Sequence, residues 1–305
     1  MWKFRGIYPV LAIPFYDNGE VDQDSLRREI DFVLEQGVDG LVIFGLASEI
    51  YKLSERERIT ITDVVVSHVN GAVPVIAGTE HTGSEVAVER SYIAEEQGVS
   101  GVMVYPPTFV KPDVAGIKEY YFMISDRIRI PIMIQDAQAW TQVPLPADLI
   151  ADLAALQQVR YVKIETVPTG PKISKVLEKT NGSIDVFGGY GGMYYVDEME
   201  RGAVGTLIPV SICDQFVAIH RAFHSGDVDT AIDLHQRLLP FLVFEMTSLD
   251  VLIEIQKILL HRAGIFATER SRRPHTGLDL EQRKTLSRFL NHYSFNLLLR
   301  TKKGV

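Results

Sequence analysis

The chain opens on a short apolar run, residues 7–13, followed by a more polar stretch, 22–36, in which Leu26, Ile30, Val33 and Leu34 recur at helical spacing. The same couplet then repeats: 38–44 with 55–69, 73–77 with 84–97, 99–105 with 114–126, 131–135 with 146–156, and 159–165 with 171–179. Each run predicts a strand and each amphipathic stretch a helix. Further strands over 184–187 and 205–210, with helices near 193–201 and 214–224, bring the strand count to eight. Regular strand–helix alternation predicts a parallel sheet. Eight such units close a barrel more readily than they extend an open sheet. Runs such as Leu41-Val42-Ile43-Phe44 and Ile132-Met133-Ile134 are apolar on both faces, as expected where helices cover one side and barrel filling the other.

From Asp227 onward the strand pattern stops, and 228–239, 244–263 and 280–293 read as helices. The expected organisation is an α/β (β/α)8 TIM barrel over residues 1–225 and an all-helical C-terminal extension over 226–305. The basic tail, 297–305, is expected to fray. The 305 residues accommodate such a barrel plus an addition, since the fold alone needs about 250.

Net charge is −8, from 31 Lys and Arg against 39 Asp and Glu, which repels a phosphate backbone and argues against nucleic acid as a partner. One cysteine, Cys213, can make no intrachain disulfide, and no Cys-x-x-Cys pair is present to hold zinc. His220 and His224 lie four apart, but Arg221 stands where a zinc-peptidase motif needs glutamate, so metal binding is not expected. The opening Met1 to Gly6 leads into a run broken by Pro9 and Pro14, with no signal-peptide core, and no apolar stretch approaches the roughly 20 residues of a membrane span. A cytoplasmic location and no membrane partner are expected.

In a barrel of this kind the chemistry gathers where the strands end. Strand six ends Tyr161-Val162-Lys163-Ile164-Glu165, and the period of two places Tyr161, Lys163 and Glu165 on one face. If that face is inward, an amine and a carboxylate share the barrel mouth. They can be a structural ion pair, or the lysine can be a Schiff-base nucleophile, because an amine removed from water more readily supplies the neutral form that attacks a carbonyl. Gly188-Gly189-Tyr190-Gly191-Gly192 follows strand seven and can cradle an anion or simply turn tightly to leave space for a substrate. Thr108, after Pro106-Pro107 at the end of strand four, is a candidate substrate contact or an ordinary turn residue.

The opening Gly6-Ile7-Tyr8-Pro9, the loop Gly45-Leu46-Ala47-Ser48-Glu49, the segment Pro74 to Thr79, Pro106-Pro107, Pro131 to Ile134 and Lys163 together resemble the dihydrodipicolinate synthase and N-acetylneuraminate lyase family. Its members are class I aldolases and dehydratases built as (β/α)8 barrels with a helical extension. The resemblance runs from about Gly6 to Pro274. It implies that Lys163 forms an imine with a 2-oxo acid, that no cofactor is needed, and that the protein is a homo-oligomer, a tetramer or dimer.

The departures narrow the reading. The family's threonine pair, which holds the substrate carboxylate, is replaced by Leu46 and Ala47, leaving Ser48 and backbone N–H groups. The strand-five tyrosine that shuttles protons is replaced by Gln135, followed by Asp136, and an amide is no general base. Gln135-Asp136, Lys163-Ile164-Glu165-Thr166 and Ser48-Glu49 resemble the branch of the family that contains L-2-keto-3-deoxyarabonate dehydratase. That resemblance implies dehydration of a 2-keto-3-deoxy sugar acid, with Lys163 and Glu165 catalytic and Ser48, Ala47, Gln135, Thr108 and Gly188 contacting substrate. Pyruvate aldol chemistry and a noncatalytic barrel that binds a 2-oxo acid are the alternatives.

Overall fold

A computed structural model describes residues 2–293 of the protein; the basic tail, 297–305, lies outside the described residues. Eight strands, β1 (Gly6–Val10), β2 (Leu41–Ile43), β3 (Val75–Gly78), β4 (Gly101–Val104), β5 (Ile132–Asp136), β6 (Val159–Ile164), β7 (Asp185–Gly188) and β8 (Gly205–Pro209), close a barrel in chain order. Around them run α1 (Gln23–Gln36), α2 (Glu55–Val69), α3 (Ser84–Glu96), α4 (Val114–Arg127), the short α5 (Gln138–Thr141), α6 (Ala147–Leu153), α7 (Thr169–Thr180), α8 (Tyr195–Glu200) and α9 (Cys213–His224). The C-terminal extension consists of α10 (Val228–Glu245), α11 (Leu249–Arg262) and α12 (Leu280–His292).

The helices start where capping chemistry allows. Asp22 accepts from the backbone N–H groups of Asp24 and Ser25, and Ser54 with Glu57, and Asp279 with Gln282, form reciprocal capping boxes. Strands are shorter than their apolar runs because burial outlasts pairing: Leu11, Ala12 and Ile13 are buried beyond β1, and Phe44, at φ 61°, turns the chain out of β2. Pro240 predicts a helix end at Leu239, yet α10 continues through it to Glu245. The next helix starts at Leu249 rather than 244, where Ser248 caps it by accepting from Val251 N–H. The buried faces on both sides of Pro240, with Leu238, Phe241 and Leu242 in the core, carry α10 past its missing hydrogen bond.

Contacts divide the chain into two units. One takes Met1–Gly6 and Val73–Leu207; the other takes Ile7–Ala72 and the chain from Ile208 onward. In the first, Lys163 registers with Gln135 on β5 and Phe187 on β7, so these three side chains share one face of the sheet. On the same face Tyr161 meets Phe187 edge-on at 6.1 Å and stacks on Phe4 at 4.7 Å, and its phenol oxygen accepts from Phe4 N–H at 3.1 Å. Aromatic filling thus lies along β6 before the lysine is reached.

In the second unit a buried charge cluster joins the extension to the loop after β2. Glu49 is wholly buried and has φ 55°. Its carboxylate pairs with Lys257 of α11 through Oε1, and through Oε2 accepts from Lys52 Nζ at 2.9 Å and Arg272 N–H at 3.0 Å. Lys257 also donates to Arg270 O at 2.8 Å and lies over the Phe15 ring at 4.4 Å. Arg272 pairs with Glu57, donates to Gly19 O and Lys52 O, and stacks on Phe15 at 4.3 Å. No helix among the described residues is long and apolar enough to cross a membrane.

Candidate active site

Lys163 and Glu165 are both buried, and Lys163 Nζ stands 2.9 Å from Glu165 Oε1. The period of two that puts them on one face also lets them touch, because Glu165 is the first residue past β6. Its N–H still donates to Asp136 O at 2.9 Å, extending the ladder by one step. The carboxylate is held from two further sides. Gln135 Nε2 donates to Oε2 at 2.8 Å, and Tyr190 N–H donates to Oε1 at 3.2 Å. A carboxylate with donors on both oxygens has its orientation fixed, as a proton-transfer group requires.

The glycine-rich turn supplies the third donor and the room. Tyr190 sits at φ 52°, an uncommon conformation for a non-glycine residue, and this aims its N–H at Glu165. A Cβ on Gly189 would lie 2.6 Å from Glu165 Cγ and 2.7 Å from Lys163 Cε, so the site needs glycine there. Gly188, the substrate contact expected from the sequence, is the last residue of β7, and the space its side chain would take holds the Glu198 carboxylate. Burial pushes the Glu198 carboxyl up to about 8, with the neighbouring Thr169 hydroxyl opposing and the Asp197 charge reinforcing the shift.

The remaining expected contacts stand as follows. Ser48 is buried, its Oγ donates to Leu11 O at 2.6 Å and its N–H to Gly45 O at 2.9 Å, so its donors are engaged within its own unit. Ala47 is half-buried in the same turn, and Thr108 is half-buried in the loop after β4. The structure thus brings together Lys163, Glu165 and Gln135. His220 and His224 lie on α9 with rings 4.0 Å apart, and burial lowers His220 to about 4.

Sequence reasoning missed Asp136. It is wholly buried at the end of β5, with Lys172 Nζ of α7 2.6 Å from Oδ2 and the Thr166 hydroxyl donating to Oδ1 at 2.9 Å. A carboxylate that ends an apolar strand demands a partner, and that was the available signal.

The site is thus a buried lysine–carboxylate pair at the end of strand six of a closed (β/α)8 barrel. The chain belongs to the dihydrodipicolinate synthetase family, whose profile matches residues 3–293. It is 34% identical to L-2-keto-3-deoxyarabonate dehydratase of Azospirillum brasilense, over 93% of this chain and 93% of that protein. It is 32% identical to 4-hydroxy-tetrahydrodipicolinate synthase of Pelobacter propionicus, over 77% of this chain and 81% of that one. Among solved structures, dihydrodipicolinate synthase from Aquifex aeolicus superposes with a TM-score of 0.89 at 25% identity, covering 95% of this chain and 98% of that one.

Proposed function

We propose that the protein dehydrates a 2-keto-3-deoxy sugar acid resembling L-2-keto-3-deoxyarabonate, through an imine on Lys163 and without a cofactor. The observation that carries this reading is the Glu165 carboxylate, paired with Lys163 at 2.9 Å and held by Gln135 at 2.8 Å. The named activity of the Azospirillum relative supports it.

The neutral Lys163 amine, its proton given to solvent, attacks the C2 carbonyl of the substrate. The carbinolamine hydroxyl takes a proton from solvent and leaves as water, giving a protonated imine. The imine acidifies the C3 hydrogen; Glu165 removes it, and the electron pair forms the enamine. Glu165 then protonates the C4 hydroxyl, which departs as water while the enamine electrons form the C3–C4 double bond. Hydrolysis of the conjugated iminium releases product and restores the amine.

Throughout, Gln135 and Tyr190 N–H keep the carboxylate in place. Retro-aldol cleavage needs a base on the C4 hydroxyl, and the amide of Gln135 supplies none. Thr108 belongs to the proposal as a substrate contact.

The test is Glu165→Gln assayed on L-2-keto-3-deoxyarabonate. Turnover falls about 10²- to 10⁴-fold, the range of a general acid–base group, while the imine still forms. A folded variant with near-normal turnover contradicts the assignment, and a wild-type enzyme that turns over only pyruvate and an aldehyde contradicts the substrate class. A cytoplasmic homo-oligomer is part of the same proposal, supported by the lone buried Cys213 and by Val243, which is exposed beside the buried Phe241 and Leu242. Sedimentation equilibrium that gives only monomer contradicts the assembly.

A further inference from the structure

We propose that Asp136 is a positioning residue for dehydration, holding Glu165 in place from behind the sheet through Thr166 and Lys172; the inference rests on the function proposed for Lys163 and Glu165. All three of its oxygens face the segment that follows β6. The main-chain oxygen accepts from Glu165 N–H at 2.9 Å, Oδ1 from the Thr166 hydroxyl at 2.9 Å, and Oδ2 pairs with Lys172 Nζ at 2.6 Å. Gln135, the residue before it, points to the other face and donates to Glu165 Oε2. Two consecutive residues of β5 therefore hold Glu165, one by its carboxylate and one by its backbone.

Neither charge is where fold stability would put it. Asp136 is wholly buried at the end of a strand that otherwise reads Ile132-Met133-Ile134-Gln135. Lys172 sits in the first turn of α7, the positive end of the helix dipole, where a cation is unfavourable. A buried pair of this kind is weak evidence for stability, because an apolar pair of similar volume usually serves as well. What the pair does uniquely is tie Thr166 and the start of α7, the stretch that follows the proton-transfer residue, to β5. Glu165 lies past the last residue of β6, where the donation of its N–H to Asp136 O continues the ladder. A small misplacement there is costly to proton transfer even when substrate binding and imine formation are intact.

The test compares the full-length enzyme with Asp136→Asn, Lys172→Met, Thr166→Val, Thr166→Ser and the double variant Asp136→Asn/Lys172→Met. The probe is L-2-keto-3-deoxyarabonate, with borohydride trapping of pyruvate on Lys163 and thermal unfolding measured alongside. Asp136→Asn lowers kcat about 10²-fold with KM and trapping close to wild type, the size of effect expected from misplacing a catalytic group. Lys172→Met and Thr166→Val lower kcat in the same direction, Thr166→Ser retains it, and the double variant is no worse than Asp136→Asn alone, because the two act as one unit. Should Asp136→Asn fail to fold, Lys172→Met and Thr166→Val carry the same comparison from the other side of the clamp. Normal kcat in the folded variants overturns the proposal, and so does a loss of trapping in proportion to turnover, which marks a role in the fold. Absence of any Lys163 adduct in the wild-type enzyme overturns the imine reading itself and the clamp with it.

Discussion

Gly189 leaves open the space that Lys163 and Glu165 fill: a Cβ at this position would stand 2.7 Å from Lys163 Cε and 2.6 Å from Glu165 Cγ. Neither approach is one that real Cβ atoms make, so a side chain here moves Lys163 or Glu165.

The neighbouring glycine makes a control. Gly189→Ala is expected to lower kcat about 10²-fold, as misplaced catalytic groups do, with little change in unfolding temperature. Gly188→Ala presses on the Glu198 carboxylate at 1.9 Å and is expected to lower the unfolding temperature instead. Kinetics and thermal unfolding of the two variants check the contrast; similar effects of both on kcat would contradict the division of roles.

Stability should fall as pH rises. Burial raises both Glu198 and Glu245 to about 8, against about 4.3 for a glutamate in the unfolded chain. The folded protein therefore holds these protons more tightly. The stability this contributes is full below the unfolded value and is lost as pH rises through about 8. Denaturant midpoints between about pH 6 and pH 9 should decline, on the order of a few kcal/mol over the range, and Glu198→Gln should flatten part of the decline. An unchanged slope in that variant contradicts the assignment to Glu198.

The charge cluster around Glu49 predicts an asymmetry. Glu49→Gln leaves the buried Lys257 ammonium without its carboxylate and is expected to cost about 3 to 5 kcal/mol in denaturant unfolding. Lys257→Met costs less, because an unbranched apolar side chain packs against Phe15 and Glu49 keeps Lys52 at 2.9 Å. Equal losses would show that the cluster does not depend on burial of the lysine.

The Lys163–Glu165 pair was legible in the sequence because it rests on local geometry. The period of two along β6 is enough to place Lys163 and Glu165 on one face, and eight alternating units are enough to draw the barrel. Gln135 was legible as the loss of a base, but its donation to Glu165 was not, since that depends on the register of β5 against β6. The donation of the Ser48 hydroxyl to Leu11 O at 2.6 Å was not legible, since 37 positions separate the two. Asp136 and Lys172 were not singled out in the sequence, because the strand pattern stops at Gln135 and only the fold brings Lys172 to the carboxylate. Glu49 and Lys257 are separated by 208 positions, beyond the reach of any periodicity.

A covalent role for Lys163 leaves a chemical trace that reductive trapping reads. Wild-type enzyme treated with borohydride in the presence of pyruvate or L-2-keto-3-deoxyarabonate, digested and analysed by mass spectrometry, should carry the reduced adduct on the peptide containing Lys163. Glu165→Gln should still carry it, and Lys163→Ala should carry none. Turnover by an enzyme that yields no adduct on Lys163, or an adduct on another lysine that survives Lys163→Ala, would contradict the account.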